Sequence, residues 1–418
     1  MLDVTSLRQQ FPALHCRRGG RIPIFLDGPG GTQVPQRVVD AMVHYLTTCN
    51  ANHGGAFATS QESDRIVASA HEAMADLLNA PSPNEIVFGA NMTTLTLHLS
   101  RALGRLLGAG DEIVVTRLDH DANVAPWTLL GRDTGAIVHT VDIHPEDCTL
   151  DLEDLRRRLS PRTRLVAVGC ASNAAGTIND VRAITSWAHE VGAWVFLDAV
   201  HYAPHAPIDV QKWGCDFLAC SAYKFFGPHV GVLWGKRELL EELPAYKLRP
   251  APDSLPDRWM TGTQNHEGLA GVAAAVEYLV EVGVRHPAHR ASFPALSGRR
   301  LDLHAGLAAI QEYEAGLSNQ LLEGLEERPR FTVWGMRDRH RLAQRTPTIA
   351  LTMDEQRAEQ IAQHLAARQI YVWSGNMYAL GLTERLHLEH RGGFVRIGLV
   401  HYNTFEEVDA LLAALDEL

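Results

Sequence analysis

Residues 194–235 read WVFLDAVHYAPHAPIDVQKWGCDFLACSAYKFFGPHVGVLWG, and two charged groups decide how this stretch is understood. The apolar run Trp194, Val195, Phe196, Leu197 stops at Asp198. A second run, Phe217 to Cys220, stops at Ser221 and is followed by Tyr223 and Lys224. Both runs have the composition of buried strands, so an acid and an amine each stand just past a strand end. In open α/β sheets the ligand crevice lies at the carboxyl ends of the strands, and Asp and Lys are rarely buried unless something pairs with them.

Moving outward, further apolar runs occur at 85–89, 112–117, 136–141, 164–172 and 231–235, with helix-period stretches between several of them. Strands alternating with helices predict an α/β domain with a mostly parallel, seven-stranded sheet covered on both faces. Upstream, 1–24 reads as an N-terminal arm with a short helix at 6–11, and 24–35 as a brief strand entering a Gly-rich loop. Helices are expected at 36–47 and 63–78. Near residue 250 the prolines of RPAPDSLPD mark a connecting loop. Beyond it come long helices at 266–284 and 299–326, a strand at 348–353, a helix at 355–368, strands at 371–374 and 394–400, and a final helix opened by the capping box Thr404-x-x-Glu407. The expected organisation is an arm (1–24) packing with a small domain, a large α/β domain (25–265) and a smaller α+β domain (266–418).

Composition narrows the function. At 418 residues the chain exceeds one core. A net charge of −11 argues against a nucleic-acid or anionic-membrane partner. The N-terminal segment shows no signal-like apolar region, and no apolar run reaches membrane-spanning length. The six cysteines form no C-x-x-C pair, which fits a reduced, cytoplasmic setting without a zinc or disulfide framework. A metal cluster of His201, His205, Asp198 and Asp209 is disfavoured because Pro204 and Pro207 break any helix that would present the ligands.

Pyridoxal phosphate chemistry makes four demands that this pattern meets. The pyridine nitrogen needs a carboxylate and the aldehyde a lysine, met by Asp198 and Lys224. Either one alone reads equally well as half of an ion pair. The phosphate needs amides at a helix N-terminus. Strand 85–89 runs into GANMTTLTLHL, placing Asn91, Met92 and Thr93 there, where an ordinary N-cap is the plainer reading. The substrate carboxylate needs an arginine. Arg396 lies inside the apolar strand FVRIGLV and answers to a buried anion or to a structural acid partner.

The ordered set FLDGPGGTQVP, GANMTT, LDHDANVAPW, ASNAAGTI, FLDAVH, SAYKFFGPHVG, TGTQN and VRIGLVHYNT resembles the class V aminotransferases of PLP fold type I, over roughly residues 24–410. The branch it resembles most is the cysteine desulfurase-like one. That resemblance implies Lys224 as the Schiff-base lysine, Asp198 as pyridinium partner and His120 stacked on the ring and assisting proton transfer. Asn173 and His201, the latter where relatives often carry Gln, would lie near the phenolic oxygen. Ser221, Tyr223 and the 91–93 amides would contact the phosphate. Gly262 and Thr263 would reach the phosphate of a neighbouring subunit, implying a homodimer with active sites at the interface. Arg396 would bind the substrate carboxylate, with Asn52, His53 and Tyr378 at the substrate. One feature departs from the branch. Desulfurases carry a nucleophilic cysteine on a C-terminal loop, here matched by YVWSGNMYAL (371–380) with Tyr378 at about its place, and the last cysteine of this chain is Cys220. The expectation is therefore a PLP enzyme acting on an α-amino acid, by β-elimination of a cysteine-type substrate without a persulfide. Transamination and epimerisation are the alternatives, and a non-catalytic PLP-binding module is a remoter one.

Overall fold

A computed structural model describes residues 2–418. Seven strands build the large sheet: β1 Ile86–Gly89, β2 Glu112–Thr116, β3 Ile137–Val141, β4 Thr163–Gly169, β5 Trp194–Asp198, β6 Phe217–Ser221 and β7 Gly231–Gly235. Their order is β1-β7-β6-β5-β4-β2-β3, and only β7 runs antiparallel to its neighbours. The reason lies in connection length. Parallel neighbours need a crossover of a dozen or more residues, and 222–230 is too short to supply one. Successive residues face opposite layers. Thus Val195 and Leu197 join one apolar cluster and Phe196 the other, as Val114 and its neighbours Ile113 and Val115 do on β2.

Among the helices, α1 Ala58–Leu77 and α2 Met92–Gly104 pack on this sheet, and α3 His266–Arg285 and α4 Gly298–Glu326 carry the chain onward. Gly283 and Gly306 let α3 and α4 cross closely; a Cβ on Gly283 would stand 1.8 Å from the Asp302 carbonyl. A second sheet follows, with β8 Phe331–Trp334, β9 Thr348–Met353, β10 Trp373–Gly375 and β11 Phe394–Gly398 in the antiparallel order β8-β9-β11-β10. The last helix, α5 Phe405–Asp416, opens on the capping box, with both reciprocal bonds between Thr404 and Glu407 formed.

Several expectations are corrected in detail. The first helix is Val4–Arg8, started early by Asp3, whose side chain accepts from the Ser6 amide at 3.2 Å. Strand β8 had no counterpart in the pattern. The run 371–374 splits: Ile370–Tyr371 pairs in parallel with Ile24–Phe25, while Trp373–Gly375 joins β11. Strand β11 ends at Gly398, because Pro29 packs on that glycine (a Cβ would meet Pro29 Cδ at 1.8 Å) and its amide turns to the Leu26 carbonyl at 2.8 Å. A bridge from Asp27 to Gly398 extends the same seam. The attachment of the arm to the C-terminal region therefore runs to residue 27, and the Gly-rich loop is held between the two sheets. Among the described residues no helix is long and apolar enough to cross a membrane.

Candidate active site

A cavity of about 440 Å³ opens at the carboxyl edge of β4, β5 and β6, walled on the far side by β10 and β11. Asp198 and Ser221 end their strands there, and Lys224 follows on a single 3₁₀ turn, Ala222–Lys224. The Lys224 ammonium donates to the Pro29 carbonyl and lies 4.6 Å from the centroid of the Tyr223 ring. Burial, and next to it the Arg396 charge, lowers the Lys224 pKa to about 7, against the pull of Asp198 and Asp27. Asp198 accepts from the Val200 amide at 2.8 Å. Burial raises its pKa to about 6, opposed by that hydrogen bond and by Lys224.

The end of the cavity at α2 is built from backbone. Asn91 caps the helix, its side chain accepting from the Thr94 amide at 2.9 Å, and the Met92 amide donates to Ser221 Oγ at 3.1 Å. Gly231 is required here, since a Cβ would stand 2.3 Å from the Asn91 carbonyl carbon. Tyr223 stacks on His229 at 4.9 Å between ring centroids.

Across the cavity, Arg396 is nine-tenths buried and makes no ion pair among the described residues. Its Nη1 donates to the Asn173 carbonyl at 2.9 Å, while its Nε has no partner. Burial lowers the Arg396 pKa to about 10, with Tyr223 and Asp27 pulling the other way. Among the described residues no carboxylate lies within ion-pair distance of it, and Asp27 acts on it only from farther off. Asn173 Nδ2 donates to the Met377 carbonyl at 2.9 Å, and its Oδ1 is buried without a partner. His120 accepts from the Ala122 amide through Nδ1 at 3.0 Å and has one face of its ring against Tyr378, at 5.3 Å and 18°. Burial, then Lys224 and Arg396, holds the His120 pKa down at about 4. His201 pairs through Nε2 with Thr346 Oγ1 at 3.0 Å and is kept well below the usual histidine range by burial. His205 and Asp209 are engaged elsewhere, with Glu314 and with the turn at Lys212.

Twelve of the expected residues thus line one cavity: Asn91, Met92, Thr93, His120, Asn173, Asp198, His201, Ser221, Tyr223, Lys224, Tyr378 and Arg396. Four do not. Gly262 and Thr263 sit on an exposed loop, and Asn52 and His53 on another, where His53 stands 3.9 Å from Asp64. Within one chain neither loop lines the cavity. Two carboxyls escaped notice. Asp119, buried behind Asp198, accepts from the Gly169 amide at 2.8 Å and from Asn123, and burial followed by the Asp198 charge pushes its pKa to about 8. Asp27 has a buried, unpartnered Oδ1 and a pKa raised to about 6 by burial. Asp27 follows the run Ile24–Leu26 directly, the same signal that singled out Asp198, whereas Thr116 and Arg117 separate Asp119 from the run before it.

The residues suit pyridoxal phosphate. An amine of lowered pKa and an ionisable carboxyl share a cavity with helix-N-terminal amides, and an amide oxygen and a guanidinium nitrogen at its wall lack partners. Comparison with known proteins agrees. The family model described as Aminotransferase class-V matches residues 24–293 and 296–411. An aminotransferase-like protein of Gibberella zeae is 33% identical over 99% of this chain and 98% of its own length. A cysteine desulfurase of Pectobacterium atrosepticum is 31% identical over 99% and 98%. The apo cysteine desulfurase of Thermococcus onnurineus superposes with a TM-score of 0.87 at 26% identity, covering 100% of this chain and 98% of that one.

Proposed function

This chain belongs to the class-V aminotransferase family and is a PLP-dependent enzyme, and from that premise we propose that it catalyses β-elimination of a cysteine-type α-amino acid without a persulfide relay. Bound at Lys224, pyridoxal phosphate supplies an electron sink for the pair left when a bond to Cα breaks. Arg396 takes the substrate carboxylate in its planar fork, orienting Cα toward Lys224. Once released, Lys224 Nζ accepts the Cα proton; a pKa near 7 suits a base at neutral pH. Asp198, ionised above pH 6, holds the positive charge that the sink requires. The Cβ–S bond then breaks with its electron pair on sulfur, which leaves as a thiol after protonation. Water hydrolyses the remaining three-carbon enamine to pyruvate and ammonia, so no external oxidant or reductant is needed.

One observation carries the choice of elimination over sulfur transfer. The chain has no cysteine after Cys220, and among the described residues no thiol lines the cavity; Tyr378 occupies the loop above it. Cys170 and Cys220, the latter within β6, are buried in the apolar core, and burial holds their thiols far above the usual range. The test is an amino-acid panel given to the holoenzyme. Pyruvate and ammonia released from sulfur-substituted cysteines without a keto acid support elimination. Strict dependence on a keto-acid acceptor would establish transamination instead, and loss of the Cα hydrogen with inversion alone would establish epimerisation.

A further inference from the structure

The mouth of the cavity is formed by two aromatic rings that the elimination step does not use. Trp373 is 51% exposed and Tyr378 is 71% exposed, in a chain whose other large side chains are mostly inside. Large apolar groups left open at the rim of a binding site mark a surface meant to be covered.

Both rings are fixed in advance. Trp373 stands opposite Arg396 in the β10–β11 register, so the two side chains leave the sheet on the same face, with Cβ atoms roughly 5 Å apart. Its indole lies flush on Gly30, where a Cβ would meet Nε1 at 2.2 Å. Gly30 in turn adjoins Pro29, the residue that accepts from Lys224. Tyr378 is held through its backbone. Its carbonyl accepts from the Asp121 amide at 2.7 Å and its amide donates to Asn376 Oδ1 at 3.1 Å. Asn173 holds the preceding carbonyl, and the ring stacks on His120. Met377 and Tyr378 both have φ of 56°. Left-handed backbone at two consecutive non-glycine residues is costly and persists where the surroundings impose it, typically at ligand clamps.

We propose that Trp373 and Tyr378 form an aromatic clamp that selects α-amino acids bearing a flat apolar group beyond Cβ. Combined with the elimination reading, on which the sulfur alone rests, the substrate class is an S-benzyl or S-aryl cysteine and not free cysteine. A carboxylate on Arg396 places the side chain beside Trp373, and a group of that size continues outward between the two rings. Rings anchored this way lose little freedom on binding, so the gain from covering them goes into affinity.

The test separates binding from turnover. α-Methyl-S-benzyl-L-cysteine and α-methyl-S-methyl-L-cysteine lack the Cα hydrogen and cannot be eliminated; each is titrated into holoenzyme and followed by the visible spectrum. The benzyl compound is expected to bind on the order of 30-fold tighter than the methyl one, from the apolar surface it covers and the ring contacts it makes. Trp373→Ala and Tyr378→Ala should each cut that ratio roughly fivefold, and Tyr378→Phe, which keeps the ring, should preserve it. For turnover, the change should appear in KM for S-benzyl-L-cysteine more than in kcat. Equal binding of the two compounds, or a ratio indifferent to both alanine variants while their melting curves match wild type, overturns the clamp. Tight benzyl binding without acceptor-independent pyruvate leaves the clamp standing and refutes elimination. Pyruvate formed equally well from S-methyl-L-cysteine, with equal binding, does the reverse.

Discussion

Replacing Arg396 by methionine should leave the unliganded protein as stable as wild type or more so, while nearly abolishing turnover. A lowered pKa for a base means that the folded state disfavours the charged form. Arg396 falls from 12.5 to about 10, and each unit is worth about 1.4 kcal/mol, so the buried charge costs about 3 kcal/mol. The sign follows from both values lying above neutrality. The cost is fully present below pH 10 and is relieved only as pH rises from about 10 to 12.5. Methionine has a similar reach and no charge, but it strands the Asn173 carbonyl that Nη1 now serves, a loss of about 1–3 kcal/mol. The balance is zero to about 2 kcal/mol in favour of the variant, seen as an apoprotein Tm unchanged or a few degrees higher. In the holoenzyme the same change removes two charge-assisted hydrogen bonds to the substrate carboxylate, at about 1.5–3 kcal/mol each, so kcat/KM should fall at least 100-fold. Differential scanning calorimetry with and without α-methyl-S-benzyl-L-cysteine checks both halves. Wild type should gain Tm with the ligand and the variant should not. A Tm falling by several degrees in the unliganded variant would refute the reasoning, because the arginine would then be structural.

Two further outcomes follow from the site. Uptake of pyridoxal phosphate by apoprotein needs the free Lys224 amine, so its rate, read from the visible absorbance, should rise through about pH 7 and not near pH 10; in Arg396→Met the midpoint should move upward, since the arginine charge is the largest influence after burial. Ser221→Ala strips the acceptor from the buried Met92 amide, and the resulting loss of about 1–3 kcal/mol at the α2 terminus should weaken cofactor retention on dialysis roughly tenfold or more. Wild-type retention in that variant would show that the serine does not shape this end of the cavity.

Much of this site is legible in one dimension because strand ends are. Asp198, Ser221 and Lys224 are each marked by an apolar run that stops, and a parallel sheet brings such stops to a single edge. The same rule applied without exception would have found Asp27, but not Asp119, which follows its strand only after Arg117 and Leu118. What the pattern cannot carry is pairing between distant segments. Val372 looks like the middle of one strand, yet the chain changes partner there, from Ile24–Phe25 to β11. Strand β8 is only four residues, Phe331–Trp334, and mostly exposed or half-buried, so its apolar residues are too few to announce it. Asn52 and His53 are placed at the substrate by the family resemblance alone, and within one chain they lie outside the lining.

The charges of the cavity are best understood together. Two cations, Lys224 and Arg396, face three carboxyls, Asp27, Asp119 and Asp198, all of them dehydrated enough to have shifted pKa values. Arg396 is the strongest charge acting on Lys224, and it acts to remove the lysine proton. While the arginine is bare, its charge therefore enlarges the share of Lys224 present as free amine, the form that binds an aldehyde. A substrate carboxylate seated on Arg396 weakens that repulsion and lets the proton affinity of the amine rise, while burial, the larger cause, still holds it below its ordinary value. The lysine thus becomes the stronger base only when an amino acid is in place with its Cα hydrogen available. An arginine left without an acid partner serves that coupling, because a permanent salt bridge would have cancelled the repulsion with the site empty.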